Sequence, residues 1–110
     1  MSRTIPRAYV TAAWNKNGGY AREDAREYCR LLVNAGYMPI CPILSFGGVF
    51  DEEDPDAAKK YREMCEDELK RARFLVICGG EINDDVREDI SIAKRAKVIV
   101  TTLDGVLDCL

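Results

Sequence analysis

Short apolar runs alternate with amphipathic helical stripes along this chain, and that alternation constrains the fold more than any other feature. The run Phe74-Leu75-Val76-Ile77-Cys78 is apolar at every position. A strand without polar alternation is covered on both faces, as in a parallel sheet between helices, so this run is expected at the sheet centre. Residues 7–13 (Arg-Ala-Tyr-Val-Thr-Ala-Ala) and 98–101 (Val-Ile-Val-Thr) have the same character. Residues 37–44 are apolar too, but Pro39 and Pro42 lack amide donors, which predicts a strand at the rim.

Helical stripes fill the intervals. In residues 21–35 the small and apolar side chains Ala21, Ala25, Tyr28, Cys29, Leu32 and Ala35 share one face, and Gly36 supplies a stop. Asp54-Pro55 reads as an N-cap and first helical residue, opening a second helix with the stripe Ala58, Tyr61, Cys65, Leu69 and Ala72. Asn83, Asp84 or Asp85 caps a third, whose inner face is Val86, Ile90, Ala93 and Ala96. Residues 103–110 read as a terminal turn or partner contact. The order β-α-β-α-β-α-β predicts an α/β, Rossmann-like or flavodoxin-like three-layer domain with a small parallel sheet of about four strands. Its 110 residues suffice for a single domain, 1–110.

Composition narrows the chemistry. Sixteen Lys plus Arg against 19 Asp plus Glu give a net charge of −3, which disfavours nucleic acid as a partner. Histidine is absent, so Ser-His and Cys-His pairs are excluded and acid–base work falls to carboxylates, tyrosines or thiols. The five cysteines include no C-x-x-C pair and fall mostly in apolar segments. They read as buried thiols of a reducing compartment rather than disulfides or a metal site. The opening Met-Ser-Arg-Thr-Ile-Pro has no apolar signal core, and no run reaches the roughly 20 apolar residues of a membrane span. A cytoplasmic location is therefore expected.

In open parallel sheets, ligands sit beyond the carboxyl ends of the strands. That selects residues 12–20, 45–55 and 79–85. The third segment and its helix hold Glu81, Asp84, Asp85, Glu88 and Asp89; the second holds Asp51, Glu52, Glu53, Asp54 and Asp56. Acids in a first helical turn oppose the positive end of the helix dipole, which alone accounts for such clusters. Alternatively Asp85 and Asp89, four apart on one face, repel each other and poise an acid/base pair. An acidic rim suits an uncharged nucleoside, a sugar or a cation better than free phosphate, and a divalent ion on Asp51, Asp54 or Asp85 is a further option. Gly18-Gly19 and Gly79-Gly80 match neither phosphate-binding fingerprint. Trp14, Tyr20, Phe46 and Phe50 offer faces on which a planar base could stack, or else anchor their loops on the core.

The segments Tyr9-Val10-Thr11-Ala12-Ala13, Ala25-Arg26-Glu27-Tyr28-Cys29-Arg30, Gly36-Tyr37-Met38-Pro39-Ile40-Cys41-Pro42 and Asp51-Glu52-Glu53-Asp54-Pro55 resemble small, mostly phage and bacterial proteins of the nucleoside 2-deoxyribosyltransferase-like superfamily. The resemblance implies an oligomeric Rossmann-like domain that breaks or exchanges the N-glycosidic bond of a 2-deoxynucleoside through a carboxylate, with no organic cofactor and no metal. It puts Asp89, in Asp89-Ile90-Ser91-Ile92-Ala93, at the position of the family's nucleophilic glutamate. The chain departs from that pattern in four places. Asp89 is one methylene shorter than glutamate, and Asp85-Val86 stand where a glycine and its neighbour are usual. Cys65, beside Glu66 and Asp67, falls on the acid/base aspartate, and Ala12-Ala13 replace a polar or proline-bearing turn.

Two functions follow. The first is an N-glycosidase or deoxyribosyltransferase with Asp89 as nucleophile or charge stabiliser, Glu88 or Asp85 as helper, and Trp14, Tyr20, Phe46 and Asn83 contacting substrate. The second is a catalytically inactive module of phage or mobile-element type that holds a nucleoside-like ligand or a basic protein surface. A homo-oligomer is expected in both.

Overall fold

The computed structural model describes residues 4–14, 21–51 and 53–108. Four strands, β1 (Arg7–Thr11), β2 (Met38–Ile40), β3 (Phe74–Ile77) and β4 (Ile99–Thr102), form one parallel sheet in the order β2-β1-β3-β4. Among the described residues, five helices connect or follow them: α1 (Ala21–Asn34), α2 (Pro42–Ser45), α3 (Pro55–Arg71), α4 (Asp84–Arg95) and α5 (Leu103–Leu107). The chain winds from β1 out to β2, then crosses to β3 on the other side. The topological switch therefore lies between β1 and β3, where ligands bind in folds of this class.

Alternation along the strands separates two cores. Ala8 and Val10 of β1 join Val76 and Cys78 beneath Ala25 and Leu32 of α1 and Val106 of α5. Tyr9 and Leu75 face the other way, against Leu69 of α3 and Ile92 and Ala93 of α4. Period two in the strands and the spacing of three and four in the helices fix which residues meet in each layer. Among the described residues no helix is long and apolar enough to cross a membrane.

Local chemistry sets the element boundaries. Asp54 caps α3 by accepting from the Asp56 amide at 3.0 Å, with Pro55 at the first helical position. Asn83 caps α4, its Oδ1 accepting from the Val86 amide at 3.0 Å. Gly36, at φ 95°, takes the left-handed conformation that ends α1.

β1 stops at Thr11 rather than Ala13 and residues 103–107 form a helix rather than a turn, but the largest departure from the sequence expectation is at the rim. The rim strand runs only over Met38–Ile40, and the helix α2 begins at Pro42. Pro42 has the φ and the missing N–H that a first helical residue tolerates, so the proline that had indicated an edge strand instead starts a helix. Pro39 does lie in the edge strand, in register with Ala8. Of the cysteines, Cys41 and Cys78 are buried, Cys29 and Cys65 are half-buried, and all four are free thiols; Cys109 lies outside the described residues.

Candidate functional site

Thr11 ends β1 and Ile77 ends β3 in direct register, and the Cys78 amide donates to the Thr11 carbonyl at 2.8 Å. This is the edge of the switch point. Asp89 enters it from α4. It follows Val86 by three residues and precedes Ala93 by four, both of which are fully buried, so helical geometry turns its carboxyl toward the sheet. There the Thr11 hydroxyl donates to Asp89 Oδ2 at 2.6 Å, joining residues 78 apart in sequence.

Three further side chains surround this pair. Tyr9 precedes Thr11 by two and so shares its face of the sheet. Tyr61 and Cys65 are four apart on the inner stripe of α3. Both phenol hydroxyls interact with the Cys65 sulfur, and the Asp89 charge acts on all three groups. Burial pushes the Asp89 carboxyl up to about 6; the Thr11 hydrogen bond opposes that push, while Glu88 and Asp85 add to it. Like-charge repulsion along α4 thus acts, but behind burial. Burial also raises Tyr9, Tyr61 and Cys65, so these three remain protonated at neutral pH. Asp89 is then the group of this cluster that changes charge near neutrality, which is the property an acid, base or nucleophile requires.

On the α1 side of the same edge lies a cavity of about 180 Å³, lined by Ala12, Ala13, Trp14, Asp24, Tyr28 and residues 78–81. The Trp14 and Tyr28 rings stand 6.1 Å apart, tilted by 42°. Gly79, at φ +75°, makes the turn; a side chain there would be strained and would meet the Tyr28 hydroxyl at 3.4 Å. Asp24 and Glu81 give this lining carboxylates and, among the described residues, no lysine or arginine.

The remaining sequence candidates fall elsewhere. Phe46 packs edge-on against Tyr61 and Phe50, at 5.4 and 6.3 Å, and borders a separate groove of about 340 Å³ along α3 with Lys60, Glu63, Met64, Asp67 and Glu68. It is not among the described residues lining the cavity beside Trp14. Asn83 commits its Oδ1 to the α4 cap. Glu88 and Asp85 are exposed, and Tyr20 lies outside the described residues. Among the described residues no group of three or more His, Cys, Asp or Glu side chains could hold a metal ion. Asp51 and Asp54 instead accept backbone amides, from Glu53 and Asp56.

Sequence reasoning singled out Asp89 but assigned no part to Thr11, Tyr9 or Tyr61. Their signal was present in two pieces. The i, i+2 pair of β1 and the i, i+4 pair of α3 each mark one face, and only the packing of α3 and α4 over β1 brings the pieces together.

A family model described as a domain of unknown function, DUF7768, matches residues 6–103. The chain belongs to the DUF7768 family. Among solved structures, a 2-deoxyribosyltransferase from the psychrotolerant bacterium Bacillus psychrosaccharolyticus superposes with a TM-score of 0.69, covering 87% of this chain and 70% of that one at 11% sequence identity. At that identity the likeness establishes the shared fold. Among curated proteins, a 59-residue stretch of this DUF7768 domain is 37% identical to the hybrid PKS-NRPS synthetase pydA of an Acremonium species; the match takes in 54% of this chain and 1% of the synthetase.

Proposed function

We propose that this domain binds a 2-deoxynucleoside at the carboxyl ends of β1 and β3 and acts on its N-glycosidic bond through Asp89. The observation that carries this reading is the inward Asp89 carboxyl, held by Thr11 at the switch point, where burial pushes it up to about 6. As the bond between C1′ and the base nitrogen breaks, positive charge develops on the sugar, and an adjacent carboxylate either bonds to C1′ or stabilises that charge. Water or an acceptor base then completes hydrolysis or exchange, and the departing nitrogen takes up a proton. Glu88 and Asp85, near enough to raise the Asp89 pKa, are the assigned helpers. The Trp14 face and the anionic Asp24 and Glu81 suit a neutral nucleoside and repel its phosphate esters. Self-association belongs to the same reading, and sedimentation well above the 12.4 kDa of one chain would support it.

A second reading has one observation in its favour: Asp89 is not among the residues lining the cavity beside Trp14. A module that holds a nucleoside-like ligand, or a basic protein surface, without turnover would need only that cavity and its acidic rim. A panel of 2-deoxynucleosides, with and without acceptor bases, separates the two. Release of free base by the wild type and not by Asp89→Ala supports the enzyme. Ligand-induced fluorescence change at Trp14 without base release supports the module.

A further inference from the structure

We propose that Thr11 is a positioning residue that fixes which oxygen of Asp89 meets the ligand and sets the pH at which that carboxyl ionises. The inference rests on the functional reading above for its consequence and on the geometry alone for its substance. Leaving aside tyrosine and cysteine, Thr11 is the only polar residue buried among the described ones. Its strand neighbours on the same sheet edge, Val10 and Ile77, are aliphatic, and valine would fit the pleat equally well. A hydroxyl in this position is warranted by its bond to Asp89, at 2.6 Å between the last residue of β1 and the inner face of α4.

An aspartate side chain on a helix has rotamer freedom that a reacting group cannot use. Donation by Thr11 to Oδ2 removes that freedom and leaves Oδ1 as the oxygen presented to the ligand. The same bond favours the ionised form, so it works against the burial and the neighbouring acids. Among the described residues, the groups facing Asp89 are Tyr9 from β1, Tyr61 and Cys65 from α3, and Glu88 and Asp85 from α4 itself. None of these is cationic. The Thr11 hydroxyl therefore stands in for the positive partner that a buried carboxylate ordinarily requires.

The test is a carboxyl titration of the intact protein by carbon-13 NMR, following Asp89 in the wild type, Thr11→Val and Thr11→Ser, with Asp89→Asn to assign the signal. Removing a hydrogen bond to a charged group should raise the Asp89 midpoint by about one pH unit or more in Thr11→Val, and Thr11→Ser should restore it. If Thr11→Val does not fold, Thr11→Ala removes the same hydroxyl without adding bulk and is read in the same way. A midpoint unchanged in the variant lacking the hydroxyl, or raised equally by serine, overturns the proposal whatever the turnover. A raised midpoint rescued by serine, in a protein that releases no base from any nucleoside, upholds the positioning role while the glycosidic reading fails. Where base is released, the lower limb of its pH profile should move with the midpoint.

Discussion

Two acid clusters stand at helix starts in this molecule, and they are put to different uses. At α3, Asp51 and Asp54 accept backbone amides of Glu53 and Asp56, and all four residues are exposed. At α4, Asp84 pairs with Arg87 at 3.1 Å on the surface, Asp85 and Glu88 are also exposed, and Asp89 alone turns inward to Thr11. Composition is nearly the same in both. Register makes the difference: the acids of α3 precede its apolar stripe, whereas Asp89 falls within the stripe of α4 between Val86 and Ala93. A carboxylate that satisfies the end of a helix stabilises the fold; one set into a helix's apolar face costs stability and is retained for another reason.

That contrast can be broken most severely by adding a second inward acid. Val86 lies on the same face of α4 and is fully buried. Val86→Asp should cost more than about 4 kcal/mol and leave the domain unfolded at ambient temperature, as judged by circular dichroism. A folded, cooperative variant would mean that α4 tolerates inward charge generally and that Asp89 is not a special position.

At α3 the same chemistry predicts a smaller and purely structural effect. Asp54→Ala removes the cap and should lower stability by about 1 kcal/mol in urea melts, with nucleoside behaviour unchanged. A loss of ligand binding without loss of stability would give the α3 cluster a functional part that its geometry does not suggest.

The smallest effect concerns the surface neighbours of Asp89. Glu88→Gln removes one of the like charges that push the Asp89 carboxyl upward. It should lower the Asp89 midpoint by a few tenths of a pH unit, because an exposed charge is well screened. A shift as large as that expected for Thr11→Val would place repulsion, rather than burial and hydrogen bonding, in control of the site.

Much of this organisation is legible in the amino-acid order. The all-apolar run at 74–78 and the stripes of α1, α3 and α4 specify a parallel sheet between helices, because each period admits one buried face. The proline pair at 39 and 42 is ambiguous, since the same missing N–H suits an edge strand and a helix start, and only packing separates the two. Asp89 is legible twice, from its spacing of four from Asp85 and from the resemblance to deoxyribosyltransferase-like proteins. Thr11 is not, because nothing local in Tyr-Val-Thr-Ala-Ala signals a partner 78 residues away. Trp14 and Phe46 both follow strand ends, yet β2 lies at the sheet edge, so Phe46 belongs to the groove along α3 and Trp14 to the crevice between β1 and β3.

The account depends on Asp89 being a half-buried, hydrogen-bonded carboxyl whose ionisation the fold resists. Its pKa rises from the ordinary 3.8 to about 6 in the native state. Between those values the native protein holds more protons than the unfolded chain, so stability falls as pH rises through the window, and the full cost of about 2–3 kcal/mol is present above it. Thermal melts of the wild type and Asp89→Asn from pH 4 to pH 8 measure this directly. The variant should match the wild type near pH 4 and melt higher by on the order of 10 °C at pH 8. Parallel melting curves across that range, or a wild type that is the more stable at pH 8, would contradict the account.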